Sequence, residues 1–134
     1  MNRRLERAHL LFGHGARHPD YLLPFVRLQE AMRAQAPDAA VYVAFLEFTS
    51  PSFEAALAKV AADGVRYLQV TPIFFAPGKH VLEDLPRLVR EARARYPDMA
   101  IVQVPAVGMA DPVIAALACY ALSADGVEGS VEGS

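Results

Sequence analysis

The apolar residues of the chain alternate between short continuous runs and longer stretches with helical spacing. Ala8 to Phe12 is apolar apart from His9 and is closed by Gly13, the pattern of a strand buried on both faces of a parallel sheet. From Pro19 to Ala36, Leu22, Phe25, Val26, Leu28 and Met32 recur at helical intervals, and Pro37 ends the segment. Ala40 to Leu46 predicts a second strand. Ser50 and Pro51 then predict an N-cap and first position for a second helix, which runs to about Asp63 with Gly64 as its left-handed stop. Tyr67 to Thr71 predicts a third strand, Leu82 to Tyr96 a third helix, Ala100 to Val104 a fourth strand, and Asp111 to about Leu122 a last helix. Strand and helix thus alternate four times, for which a parallel sheet wrapped by right-handed crossovers is the economical solution. The expected fold is α/β: a single-domain parallel-sheet sandwich of four β-α units over residues 1–122. Residues 123–134, which repeat Val-Glu-Gly-Ser twice, are expected to form a flexible tail.

Composition narrows the function. The 134 residues are 54% hydrophobic and 21% charged, enough apolar side chain for one core that needs neither disulfides nor a structural metal. Thirteen Lys and Arg are interleaved with fifteen Asp and Glu for a net charge of −2, which leaves no electrostatic footprint for nucleic acid or anionic lipid. The apolar run after Met1 to Arg7 is too short for a signal core, and no stretch approaches the ~20 apolar residues of a membrane span. The single Cys119, set among Ala and Leu, is expected to be a buried small hydrophobe, and a reducing cytoplasmic setting fits.

In an open parallel sheet, ligands sit beyond the carboxyl ends of the strands. The residues there are Gly13-His14-Gly15-Ala16-Arg17-His18, then Glu47-Phe48-Thr49-Ser50, then Pro72 through His80, then Pro105 through Gly108. Glycines on both sides of His14 uncover its imidazole for service as a metal ligand or base; a turn histidine facing water fits the same spacing. His80 follows an unusually apolar connection, within which Ile73 and Phe74 suit packing beneath the helix and Phe75 suits contact with a greasy ligand. Glu47 closes an apolar strand, where a carboxylate wants a partner or a cation unless it is solvated. Glu83 and Asp84 are expected to complement the positive end of the third helix. Arg17 and Lys79 flank the presumed mouth, where they can meet carboxylates or serve as solubilising charge. His9 is expected to be structural and His18 a rim residue.

Three blocks in order, Gly13-His14-Gly15-Ala16-Arg17, Phe45 through Ser52, and Pro72 through Pro86, resemble the small class II tetrapyrrole chelatases of the CbiX type, the sirohydrochlorin cobalto- or ferrochelatases. The resemblance spans roughly Leu10 to Ala121 and implies a chelatase-like half-unit that inserts Co²⁺, Fe²⁺ or Ni²⁺, as substrate, into a tetrapyrrole, with no tightly bound cofactor. His14 and His80 match the family's paired metal-binding and catalytic histidines, and Glu47 its nearby acid; Arg17, Phe75 and Lys79 become contacts for the macrocycle. Ala16 stands where many members have Ser, and the His-rich segment of some relatives is absent. Members are single units or double-length chains forming a bilobal cleft; one unit is present here, which implies a homodimer.

The chemistry agrees with those residues. Metal insertion requires an aquated M²⁺ to shed water while two pyrrole protons leave. Two imidazoles with at most one carboxylate bind such ions in an incomplete shell that can yield to a tetradentate ring. Spacing alone does not separate which histidine holds metal and which takes protons. Two rivals use the same residues: a non-catalytic metal or tetrapyrrole carrier, and a histidine phosphotransferase. The second is disfavoured because position 13 is Gly where that signature places Arg.

Overall fold

A computed structural model describes residues 7–76 and 78–123. Four strands, β1 (Arg7–Gly13), β2 (Ala40–Phe45), β3 (Tyr67–Pro72) and β4 (Ala100–Gln103), form one sheet in the order β2-β1-β3-β4. All three pairings are parallel, with Leu10 opposite Tyr42 and Val70, and Val70 opposite Gln103. The expected α/β architecture is therefore present. Four helices accompany the strands: α1 (Leu23–Gln35), α2 (Phe53–Ala62), α3 (Lys79–Arg95) and α4 (Asp111–Ser123), with short 3-10 turns at Pro19–Leu22 and Val107–Met109.

Period-two alternation sends successive side chains of β1 to opposite faces. Ala8, Leu10 and Phe12 join Leu68, Val70 and Ile101 in the larger core, which α2 closes with Leu57 and Val60, and α3 with Leu85, Leu88 and Val89. Phe12 is fully buried and meets Phe53 and Phe74 edge-on, centroids 5.7 and 6.0 Å apart. Leu11 faces the other way and packs with Val41, Phe45 and Phe25 of α1. Phe74 is half-buried against the larger core that α3 closes, as expected, whereas Ile73 lies on the opposite face, half-buried against Leu11 and Phe25 of the α1 core and not beneath α3.

Several boundaries differ from the sequence expectation. The second helix starts at Phe53, capped by the Ser52 side chain accepting from Ala55 N at 3.1 Å. Ser50 and Pro51 cannot cap it, because Pro51 O accepts from Phe45 N and holds the segment beside β2. Gly64, at φ 82°, follows the helix as its stop. The third helix starts three residues early, at Lys79. Buried Val81 lies one turn before Leu85 on the stripe continued by Leu88, Val89 and Ala92, and burying it extends the helix. Glu83 and Asp84 consequently fall beyond its first turn, and Asp84 pairs with Arg87 at 3.6 Å instead of meeting the helix dipole. The first helix opens as a 3-10 turn, β2 ends at Phe45 and β4 at Gln103. Cys119 is exposed, not buried, because α4 buries none of its residues. Of the expected tail only Ser123 is described, as the last residue of α4; 124–134 lie outside the described residues, as do 1–6. Among the described residues no helix is long and apolar enough to cross a membrane.

His9 is half-buried in β1, and burial first, then the charge of Arg7, pulls its imidazole below the ordinary value. The unfolded chain therefore protonates His9 more readily, and stability is lost as pH falls below about 6.5. Urea unfolding between pH 5 and 8 should show a midpoint that declines with acid, and His9→Gln should flatten part of that decline.

Candidate functional site

All strands run the same way, so the segments after β1, β2 and β3 emerge at one edge. The chain first moves from β1 to β2 on one side, then returns past β1 to β3 on the other. The carboxyl ends of β1 and β3 thus flank the switch point where parallel sheets open a crevice. His14 follows β1 directly, and Phe75, Lys79 and His80 follow β3.

Two of these loops are fastened together. Leu46 N donates to Gly13 O and Glu47 N to His14 O, each at 3.0 Å, which continues the β1–β2 pairing beyond the strands. Thr49 Oγ1 accepts from Ala16 N and donates to Ala16 O, both at 3.0 Å, while Gly15 N donates to the Tyr21 hydroxyl at 3.0 Å. Gly15 adopts φ 97°, and a methyl group there would run into the Glu47 carbonyl. Glycine is required for conformation and for space alike. Neither Tyr21 nor Thr49 is singled out by sequence reasoning; Thr49 lies within the second of the three blocks, but its double bond to Ala16 is visible only in three dimensions.

The closure sets His14 Nε2 3.0 Å from Glu47 Oε1, although the residues are 33 apart in sequence. Both side chains are about half exposed, at 47% and 48%. An ionised carboxylate only accepts, so Nε2 carries the proton and the neutral ring keeps its lone pair on Nδ1. Glu47 thereby fixes the tautomer that presents Nδ1 to a cation or a proton.

The other candidates lie in the loops after β1 and β3 and at the start of α3. Arg17 lies over the Phe48 ring, 4.4 Å from its centroid, and Phe48 holds φ 65°. His80 and Lys79 occupy the exposed first turn of α3, and Phe75 is 66% exposed in the loop before it. Among the described residues, no three His, Cys, Asp or Glu side chains gather closely enough to hold an ion together. One chain thus joins His14 to Glu47 and leaves His80 on the same edge without completing a three-ligand cluster. His18 accepts from Asp20 N through Nδ1 at 3.1 Å and caps the turn at Pro19–Leu22. Beside α3 a cleft of about 250 Å³ is lined by Phe74, Leu82, Leu85, Pro86, Pro105 and Met109, of which Leu82 and Met109 are well exposed.

The model of the CbiX family matches residues 8–123. The sirohydrochlorin cobaltochelatase of Methanococcus maripaludis is 33% identical over 80 residues, which make up 60% of this chain and 56% of the relative. That of Methanothermobacter thermautotrophicus is 36% identical over 80 residues, 60% of this chain and 55% of the relative. The chain thus spans little more than half the length of these curated relatives. Among solved structures, a CbiX protein from Marinobacter aquaeolei overlays with a TM-score of 0.74 at 21% identity, covering 87% of this chain and 94% of that one. The sirohydrochlorin chelatase SirB from Bacillus subtilis subspecies spizizenii, in complex with cobalt, gives 0.73 at 23% identity, covering 87% of this chain and 50% of that one. At these identities the overlays establish the shared fold.

The loop closure makes Gly15→Ala a severe change. It is expected to destabilise the chain by more than ~1 kcal/mol in urea unfolding, because the paired backbones of His14 and Glu47 must move apart to admit the methyl group.

Proposed function

The chain belongs to the CbiX family, and on that footing we propose that it inserts a divalent metal, Co²⁺ or Fe²⁺, into sirohydrochlorin or a closely related tetrapyrrole. The observation that carries this reading is the His14–Glu47 pair, half solvated at the switch-point edge. A tightly held, fully ligated ion would be useless to the reaction, whereas one oriented imidazole with an open coordination sphere can accept an ion and give it up. In this reading Nδ1 of His14 meets the incoming metal or a pyrrole proton, Glu47 stabilises the charge that the ring acquires, and His80 serves as the second imidazole. The macrocycle lies with its flat apolar face toward Phe75, Leu82 and Met109, whose exposure has no other evident use. Its peripheral carboxylates meet Arg17 and Lys79. A second copy of the chain forms the opposite wall of the cleft, as expected for a unit that matches half of the SirB chain. Carriage without turnover remains the alternative that the same edge serves, and the insertion assay separates the two.

The experiment follows the absorption of sirohydrochlorin with Co²⁺, Fe²⁺ or Ni²⁺, with and without protein. Accelerated, multiple-turnover insertion is expected; stoichiometric binding with no acceleration would make the protein a carrier. His14→Ala and His80→Ala should each slow insertion at least about tenfold while leaving circular dichroism unchanged, and near-native rates in both would remove the assignment. Glu47→Gln keeps a hydrogen-bond acceptor but loses the charge, so its loss should be smaller than that of His14→Ala.

A further inference from the structure

Between Glu47 and Thr49 the chain makes a three-residue turn. Thr49 N donates to Glu47 O at 2.8 Å, and Phe48 at the centre holds φ 65°. A left-handed conformation is ordinary for glycine and an outlier for a bulky side chain, and tight turns with a positive φ at their centre are rare and strained. Among the described residues Phe48 is the one non-glycine with a positive φ. Burial does not offset that strain: the Phe48 side chain is 57% exposed and belongs to neither core. Strain of this kind persists where the surroundings over-determine it, and it collects at ligand sites.

What the ring touches is Arg17. The guanidinium lies over it, Cζ 4.4 Å from the centroid, and among the described residues no carboxylate pairs with Arg17. A ring beneath a guanidinium occupies one of its faces and leaves the N–H groups at the rim free to donate. The two residues are brought together by the same backbone ties that set the His14–Glu47 pair. Glu47 N donates to His14 O just before Phe48, and Thr49 Oγ1 just after it bonds both N and O of Ala16, the neighbour of Arg17. The stacked pair therefore stands beside the imidazole–carboxylate pair at the switch-point edge, with its orientation fixed by one loop closure.

We infer that Phe48 is a positioning residue for Arg17: its strained turn holds the ring under the guanidinium so that the rim donors face outward to one peripheral carboxylate of the macrocycle. The inference rests on the tetrapyrrole reading above and names the residue that makes the carboxylated edge of that substrate part of what the site recognises. An arginine already held against a flat ring loses less freedom on meeting a carboxylate than one that moves freely in solvent. The aromatic ring is suited to this because it attracts the guanidinium through its face, and a side chain without a π face would leave Arg17 unheld. A bulky residue in a left-handed turn is thus tolerated for what it does to its neighbour.

The test reads stability and macrocycle affinity on the same variants, stability by urea unfolding and affinity by the change in sirohydrochlorin fluorescence on titration without metal. Phe48→Gly is expected to raise the unfolding midpoint, since glycine adopts the turn without strain, and to weaken sirohydrochlorin binding roughly threefold. A residue of merely structural value would move the two in the same direction. Phe48→Tyr keeps an aromatic face and should bind as the native chain does. Arg17→Gln should weaken binding about tenfold, and adding Phe48→Gly to it should weaken binding no further, because the ring acts through the guanidinium. In the insertion assay Phe48→Gly should raise KM for sirohydrochlorin with kcat close to native. Native affinity or a lowered unfolding midpoint in Phe48→Gly, additive losses in the double variant, or a fall in kcat at unchanged KM would each overturn the inference. Binding with the expected pattern but no metal insertion would refute the chelatase reading and leave the inference standing, and insertion by a chain whose KM ignores Phe48 would do the opposite.

Discussion

The site depends on a close approach between two loops that only a glycine permits. After β1 and β2 leave the sheet, their backbones stay paired through Gly13 with Leu46 and His14 with Glu47. That pairing requires Gly15 to hold a positive φ and to lie where the Glu47 carbonyl would strike any Cβ. Thr49 and the Tyr21 hydroxyl then satisfy backbone groups of Gly15 and Ala16 that the turn would otherwise leave unpaired. The His14–Glu47 contact is a consequence of this backbone arrangement. It is held in place by backbone bonds that do not involve the tip of either side chain.

That origin explains why the pair can be half solvated and still well oriented. An exposed imidazole–carboxylate contact adds little to stability by itself, so its geometry has to be imposed from below. The core does this. Phe12, Phe53 and Phe74 lock the carboxyl end of β1 from one face, and Phe25, Phe45 and Tyr21 lock it from the other. In the proposed reading, such a rigid base under an incomplete ligand set suits an ion that must arrive and leave. The apolar side chains left in solvent nearby, Phe75, Leu82 and Met109, are the kind of surface a flat macrocycle covers.

A different incompleteness lies in the covering of the sheet. Among the described residues, no helix makes its main contacts on the β3–β4 half of one face, and α4 buries none of its residues. These are packing features, distinct from the arrangement of His14 and His80 on the sheet edge.

Periodicity in the sequence determined the order of strands and helices, the parallel α/β class and the edge on which the polar residues gather, because burial of apolar side chains is recorded residue by residue. The three loop blocks likewise marked His14, Glu47 and His80 before any geometry. Helix starts were less legible: Ser50-Pro51 looked like a cap, yet Pro51 is held by Phe45, and Val81 extended α3 only because its place on a buried stripe is set by the sheet beneath. Cys119 looked buried because its neighbours are apolar, and apolarity states a demand for cover without saying what supplies it. Tertiary structure alone decided that His14 meets Glu47, that Tyr21 and Thr49 hold the loops that bring them together, and that α4 stands off its own sheet. Each of these rests on contacts between segments distant along the chain, and local spacing carries no information about such contacts.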